Sequence, residues 1–259
     1  MGERTQHAPG TFSWTDLTTT DQEAARAFYA ALFGWEADDM PAGEGIVYSM
    51  MRIGDRHVAA ISPQPQAQRE AGAPPMWNSY VTVASADAAA ARAAELGGTV
   101  HAPPFDVFDA GRMAVIQDPQ GAFLMVWEPR GHIGAGLVNA PGALVWNELG
   151  SNDLDGSRAF YEALFGWTIA PVELGDQPYL AIRNGERGNG GMMPVQPPDA
   201  PTHWAVYFGV DDLDAALDRV RELGGVVHAG PIDIQMARIA IVGDPQGATF
   251  ALYDGELEP

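Results

Sequence analysis

The chain has 259 residues, a net charge of −20, no cysteine and no lysine, so that all fourteen of its basic residues are arginine. The missing cysteine excludes disulfides, thiol nucleophiles, thiolate-bound zinc and iron–sulfur clusters, and the missing lysine excludes Schiff-base chemistry and the P-loop lysine. Both halves are acidic and no basic stripe interrupts them, which argues against nucleic acid or an anionic membrane surface as a partner.

In chain order, residues 1–10 are polar, unlike a secretory signal, and are expected to form a disordered terminus carrying His7. Residues 12–18 read as a strand with Trp14, Asp16 and Thr18 on one face. Thr20 and Glu23 have the spacing of a capping box, and Phe28/Leu32 and Tyr29/Phe33 form the apolar stripe of the helix it opens. Gly34 supplies its stop. Strands follow at 35–38, 46–53 and 58–61, with His57 beside a turn. A Pro/Gln/Ala stretch, 63–75, separates these from a second pass of the same grammar. That pass has a strand at 77–84, an alanine-rich helix at 87–96 ended by Gly97 and Gly98, and strands at 100–102, 112–117 and 122–127. The last two strands are joined by Asp118-Pro119-Gln120-Gly121, whose Asp, Pro and Gly occupy the positions a type I turn prefers.

The whole unit then recurs. Phe28-Tyr29-Ala30-Ala31-Leu32-Phe33-Gly34-Trp35 returns as Phe160-Tyr161-Glu162-Ala163-Leu164-Phe165-Gly166-Trp167, and Asp118-Pro119-Gln120-Gly121-Ala122 returns unchanged at 244–248. Glu95-Leu96-Gly97-Gly98 and His101 match Glu222-Leu223-Gly224-Gly225 and His228. So long a period indicates two globular domains rather than a solenoid. They are placed at 11–129 and 143–255, joined by a glycine-rich linker at 130–142. Each domain holds two strand–helix–strand–strand–strand modules. One helix cannot cover both faces of such a module, so two modules are expected to curl one sheet around a shared concavity with the helices outside. The class is α+β. No apolar run approaches the ~18 residues of a membrane span, so a cytoplasmic protein is expected.

These phrases, a Trp-x-(Asp/Glu)-Leu strand, Phe-Tyr-x-x-Leu-Phe-Gly-Trp, Leu-Gly-Gly and Asp-Pro-x-Gly, resemble the vicinal oxygen chelate superfamily. That group includes glyoxalase I, bleomycin-resistance proteins and extradiol dioxygenases. The resemblance covers about residues 12–128 and 144–253, and its two-domain glyoxalase-like members are most similar. It implies two tandem domains of paired βαβββ modules. In metal-dependent members, ligands sit on the first strand of each module and on the last strand. Here those positions fall near Trp14 or Asp16 and Trp146 or Glu148, at Asn78 and Ala205, and at Met125 and Ala251. Met125 and Ala251 do not bind a hard divalent ion, so neither a bound metal nor another cofactor is expected.

The equivalent acids Asp16 and Glu148 remain. If their face is the cavity, desolvation raises their pKa toward a value useful to a general acid or base. The competing reading pairs them with Arg112 and Arg238, also equivalent to each other, as buried ion pairs. His203, whose counterpart is Met76, shares a strand face with Ala205 and Tyr207. It is either a surface residue or a partner for Glu148 in the second compartment alone. Trp14, Trp146, Trp77 and Trp204 are core residues or, in part, the walls of a pocket for a planar ligand. Candidate catalytic residues are therefore Glu148, His203 and Asp16, and candidate ligand contacts are Trp14, Trp146, Tyr80, Tyr207, Asn78, Arg112 and Arg238. The two stretches that differ most between repeats, 63–75 and 185–202, are expected to act as lids. The expected partner is a small organic molecule bound by a monomer or homodimer. A cofactor-free lyase or isomerase is the first functional reading. A non-catalytic binder that sequesters its ligand is the second, and a metal-dependent glyoxalase or dioxygenase the third.

Overall fold

The computed structural model describes residues 2–43, 45–174 and 177–257. The first half contains β1 (Phe12–Thr19), α1 (Gln22–Phe33), β2 (Glu36–Gly43), β3 (Ile46–Ile53), β4 (Arg56–Pro63), α2 (Gln66–Glu70), β5 (Met76–Thr82), α3 (Ala86–Glu95), β6 (Thr99–Val107), β7 (Gly111–Gln117) and β8 (Phe123–Pro129). The second repeats this without a counterpart of α2. It runs through β9 (Leu144–Ser151), α4 (Leu154–Phe165), β10 (Thr168–Val172), β11 (Tyr179–Asn184), β12 (Arg187–Pro194), β13 (His203–Gly209), α5 (Leu213–Glu222), β14 (Val226–Ile234), β15 (Ala237–Gly243) and β16 (Thr249–Gly255). Among the described residues no helix is long and apolar enough to cross a membrane.

Each half forms one eight-stranded mixed sheet, ordered β2-β3-β4-β1-β5-β8-β7-β6 and β10-β11-β12-β9-β13-β16-β15-β14. The two modules of a half meet where β1 lies antiparallel to β5, and β9 to β13. Within each module the first strand lies parallel to the last, as in β1 with β4 and β5 with β8. The result is α+β: two tandem domains, each a curled mixed sheet with helices on its outer face.

The helices do not merely cover their own sheets. Buried Ala25, Phe28 and Tyr29 of α1 share one core with Phe208, Leu217, Val220 and Phe250 of the second domain. Phe160 and Tyr161 of α4 share another with Ala90, Ile116 and Leu124 of the first. Each core is thus built from one module of each domain, and non-polar burial at roughly 25 cal/mol per Å² binds the halves together.

The recurring motifs meet at these two seams. Trp77 Nε1 donates to the Tyr29 hydroxyl at 3.0 Å, and Tyr29 donates across the seam to Asp244 Oδ2 at 3.0 Å. The mirror relay runs from Trp204 to Tyr161 at 2.9 Å and from Tyr161 to Asp118 Oδ2 at 2.9 Å. The other oxygen of each aspartate accepts the backbone N–H of Ala122 or Ala248, at 2.8 and 2.9 Å, closing the Asp-Pro-Gln-Gly turn. The Gly-Gly pairs divide their labour. Gly97 (φ +88°) and Gly224 (φ +81°) occupy left-handed backbone just past a helix. Gly98 and Gly225 leave room for Phe160 and Phe28 of the other domain, whose Cε2 atoms would lie 3.2 and 3.1 Å from an added Cβ.

Several expectations need correction. The cap of α1 is Asp21, whose carboxylate accepts the Ala24 N–H at 3.0 Å, so the Thr20/Glu23 spacing was coincidental. Gly34 does end the helix in left-handed backbone, at φ +72°. The N-terminal segment is ordered: Gly10 N donates to Thr82 O at 2.7 Å, Arg4 N to Gly136 O at 2.9 Å, and His7 Nε2 lies 2.8 Å from Ala135 O. His57 also has a partner, Asp38 Oδ2 at 3.3 Å. The 185–202 stretch is not a free lid, because much of it is β12, hydrogen-bonded between β11 and β9.

Candidate functional site

The inner face of each sheet carries one buried or half-buried carboxylate, set by strand alternation. On β1, Trp14 and Asp16 face inward, and Asp16 lies opposite Ala60 of β4 and Asn78 of β5. Asp16 is 5% exposed and accepts three hydrogen bonds: from Asn78 Nδ2 at 2.8 Å, the Tyr80 hydroxyl at 2.8 Å and the Tyr48 hydroxyl at 2.9 Å. Trp14 Nε1 completes the cluster by donating to the Tyr48 oxygen at 3.1 Å. Burial pushes the Asp16 carboxyl above the usual carboxylate range, and the three donors pull against that shift. Burial, together with the neighbouring carboxylate, holds both tyrosines well above the ordinary phenol value.

The second cup repeats this frame on β9, β11 and β13. The Tyr207 hydroxyl donates to Glu148 Oε1 at 2.6 Å. Trp146 Nε1 donates to the Tyr179 oxygen at 3.0 Å, and the Tyr179 hydroxyl lies over Gly191, the residue opposite Glu148. Glu148 is raised by burial, an effect its tyrosine partners and the nearby His203 oppose.

The two cups differ in what surrounds the acid. Beside Asp16 the facing strands present Met50, Asn78 and, next to Tyr80, Met125. At the corresponding places around Glu148 stand Ala181, Ala205 and Ala251, with Gly191 where the first cup has Ala60. The first cup is also plugged by the chain itself. Residues 130–138 leave β8 and cross it, with Ala135 N donating to Ser13 O at 2.7 Å and Gly136 N to His57 O at 2.8 Å. The His132 ring stands edge-on to Trp14 at 4.7 Å and 6.0 Å from Trp127, whose Nε1 donates to His132 O at 2.9 Å. Trp14, Met50, Ala60, Tyr80, Trp127, Ala135 and Val138 close into one buried cluster. The second cup has no such cluster among the described residues: Trp146, Glu148, Tyr179, Ala181, Ala205 and Tyr253 are all half-buried.

Of the residues singled out in the sequence, the structure joins Asp16 to Trp14, Asn78 and Tyr80, and Glu148 to Trp146 and Tyr207. It sets Arg112 and Arg238 elsewhere, which corrects both the proposed ion pairs and their place among ligand contacts. Arg112 is one residue from the inward-facing Met113, so alternation turns it to the helical face. There it binds Asp87 at 2.7 Å and Asp106 at 3.0 Å. Arg238 likewise binds Asp214 at 2.9 Å. Trp77 and Trp204 lie in the interdomain cores and line neither cup. His203 is exposed, with Nδ1 2.9 Å from Pro201 O, and sits over Gly150 beside Glu148 without bonding to it. Sequence reading missed Tyr48 and Tyr179, which lie in hairpins without a shared motif. It also missed residues 130–138 as an occupant of the first cup, since a glycine-rich stretch carries no periodic signal.

Neither cup fits the divalent ion that this fold often carries. Asp16 is the sole carboxylate in its cluster and its oxygens are already hydrogen-bonded, and Glu148 faces two alanines at the remaining ligand positions. Among the described residues no three His, Asp or Glu side chains stand together to hold a metal.

Comparison with known proteins agrees with this architecture. The model of the Glyoxalase/Bleomycin resistance protein/Dioxygenase superfamily matches residues 11–126 and 143–252, and the chain belongs to that superfamily. It is 46% identical over 255 residues to "Putative glyoxylase CFP32" of Mycobacterium tuberculosis, covering 97% of each chain. It is 35% identical over 268 residues to the anthracycline biosynthesis protein DauV of Streptomyces sp. (strain C5), covering 96% of this chain and 95% of that one. Among solved structures, the Mn(II)-bound glyoxalase of Novosphingobium aromaticivorans superposes with a TM-score of 0.67 at 16% identity, over 100% of this chain and 84% of its own. The 2,3-dioxygenase LapB of Pseudomonas sp. KL28 superposes at 0.68 with 14% identity, over 97% and 96%.

Proposed function

We propose that the second cup is the working site of a metal-independent, lyase- or isomerase-type enzyme acting on a small, flat, largely apolar organic molecule. The observation that carries this is the contrast between two otherwise equivalent frames. Around Glu148, Met, Asn and Met are replaced by Ala181, Ala205 and Ala251, and no described segment crosses the space as 130–138 crosses the first cup. Ile239 and Ile241 extend the apolar lining, which suits a ligand held mainly by apolar contact with a few placed polar groups. Relatives named for anthracycline biosynthesis support a polycyclic substrate.

Glu148 is the group that moves a proton. Burial raises its pKa, which makes the carboxylate a stronger base than one in water. Tyr207 and Tyr179 keep their own protons, because burial raises both hydroxyls, and Tyr207 orients the carboxylate by donating to it. In this reading Glu148 takes a proton from a carbon next to a substrate carbonyl and returns it to a neighbouring atom, so no oxidant or reductant is needed. His203 stands at the rim, near enough to influence Glu148 electrostatically.

The test is a panel of hydroxyanthraquinones and related polycyclic ketones, followed by mass spectrometry for product and equilibrium dialysis for binding. Glu148→Gln is expected to lower turnover at least ~100-fold while retaining binding. Undiminished turnover in that variant would sink the catalytic assignment.

A second reading, a binder that sequesters its ligand, is favoured by the first cup. There the same frame holds a ring of the chain itself with no reaction. Saturable binding without product, unaffected by Glu148→Gln, is its expected signature.

A further inference from the structure

The plug of the first cup points to how the second cup holds its ligand. His132 is a flat ring inserted between two aromatic residues, edge-on to Trp14 (4.7 Å, 86°) and tilted to Trp127 (6.0 Å, 67°). The equivalent residues of the second domain are Trp146, on β9, and Tyr253, on β16. Both are half-buried, and Tyr253 faces inward because it lies two residues beyond Ala251 on the same strand. No described residue brings a ring between them. Among the described residues, none crosses this cup as 130–138 crosses the first.

We infer that the gap between Trp146 and Tyr253 is a slot for one planar aromatic ring of the ligand, occupying the place His132 fills in the first cup. This rests on the reading of the second cup as the ligand site and adds the class of group it recognises. Three observations carry it. The framing side chains are aromatic in both domains. The first domain shows that this frame accepts a flat ring in its edge-on geometry, the arrangement the ring quadrupoles favour. And Gly188, whose added Cβ would lie 3.6 Å from Trp146, leaves the flank of that indole flat. The slot also communicates with the acid. Trp146 Nε1 donates to Tyr179, whose hydroxyl lies over Gly191 opposite Glu148, so a ring seated there lies close to the carboxylate.

The electrostatics add a second selection. The slot's walls carry no formal charge, Glu148 is the carboxylate of the cup among the described residues, and Arg238 is committed outside to Asp214. The ring should therefore be neutral or cationic, and a sulfonate on it should weaken binding.

The experiment is equilibrium dialysis of the full chain against 1,4-dihydroxyanthraquinone, with anthraquinone-2-sulfonate and the saturated, non-planar 2-decalone as comparators. The variants are Trp146→Leu, Tyr253→Leu, Tyr253→Phe and Ala251→Met, each with its melting temperature recorded. The slot predicts that the neutral anthraquinone binds at least ten times more tightly than either comparator. It predicts at least a five-fold loss in both leucine variants, retention in Tyr253→Phe, and a loss in Ala251→Met, which refills the cup as Met125 does in the first. If Ala251→Met removes binding while Trp146→Leu and Tyr253→Leu leave it intact, the slot is wrong and the cup remains the site. If Ala251→Met has no effect, or the anthraquinone does not bind, the cup reading fails and takes the slot with it.

Discussion

In the first cup the Trp14–Tyr48–Asp16–Tyr80 frame lies beneath the chain's own residues 130–138, whereas no described segment crosses Trp146, Tyr179, Glu148 and Tyr207 in the second in that way. Both frames share the Trp–Tyr bond and the bond from Tyr80 or Tyr207 to the acid, so the frame by itself does not distinguish a scaffold from a site. The distinction comes from volume and cover. Asn78 gives Asp16 a third donor, while Ala205, at the same register beside Glu148, supplies neither a donor nor comparable bulk. A duplicated fold can thus keep one copy as a filled, load-carrying half and leave the other free to bind.

This comparison is sharpest where the halves should respond alike. Tyr29→Ala and Tyr161→Ala each break one of the twin seams, removing a fully buried ring and the relay to Asp244 or Asp118. Each is expected to cost about 3–5 kcal/mol, comparably in the two repeats, as read by urea denaturation. A large loss in one and none in the other would show that the seams are not equivalent.

The acids should then separate the cups. Asp16→Ala strands the donors of Tyr48, Asn78 and Tyr80 in a sealed interior and is expected to cost on the order of 3 kcal/mol. Glu148→Ala strands only the buried Tyr207 hydroxyl, the half-buried Tyr179 staying within reach of water, and should cost less, about 1–2 kcal/mol. Equal losses would break the contrast between a sealed and an open cup.

Acid should act on the plug. Burial, with smaller contributions from His57 and His7, lowers His132 from 6.5 to about 4. The folded state therefore binds its proton less readily than the unfolded chain. The contribution is present above the ordinary histidine value and is lost as pH falls from 6.5 toward 4. Asp16 has the opposite sign: its raised pKa gives a contribution that is full below the ordinary carboxylate range and lost as pH rises through the folded value. Wild type should lose on the order of 1–2 kcal/mol relative to His132→Gln between pH 6.5 and 4. A pH-independent difference in melting temperature between the two would show that His132 is not sealed in.

The smallest effect concerns one methyl group. Ala60 lies beside Asp16, but a Cβ at Gly191 would collide with the Tyr179 hydroxyl. Gly191→Ala should displace that tyrosine from Glu148 at about 1 kcal/mol in stability, and weaken ligand retention. Ala60→Gly should leave ligand binding unchanged. Dialysis of both variants side by side reads the difference.

Much of the fold was legible because it depends on local signals. The Phe-Tyr-x-x-Leu-Phe-Gly-Trp stripe predicts a helix with a glycine stop, and Asp-Pro-Gln-Gly predicts a tight turn, and both form where expected. The equivalence of Asp16 with Glu148 and of Tyr80 with Tyr207 was visible for the same reason, since alternation along a strand sets which side chains share a face. Arg112 and Arg238 misled because equivalence between repeats says that two residues share a role without saying which face they serve. Tyr48 and Tyr179 stayed hidden because hairpin lengths vary and carry no motif.

What the sequence determined by itself was therefore the twofold pattern, the modules and the pair of acids, all properties of short-range periodicity and repetition. Only the tertiary structure decided which partners those residues meet. It put Tyr29 against Asp244, more than two hundred residues away, and laid residues 130–138 across the first cup but not the second. Such long-range contacts are set by which apolar faces bury one another when the two sheets pack, and no local pattern encodes that choice.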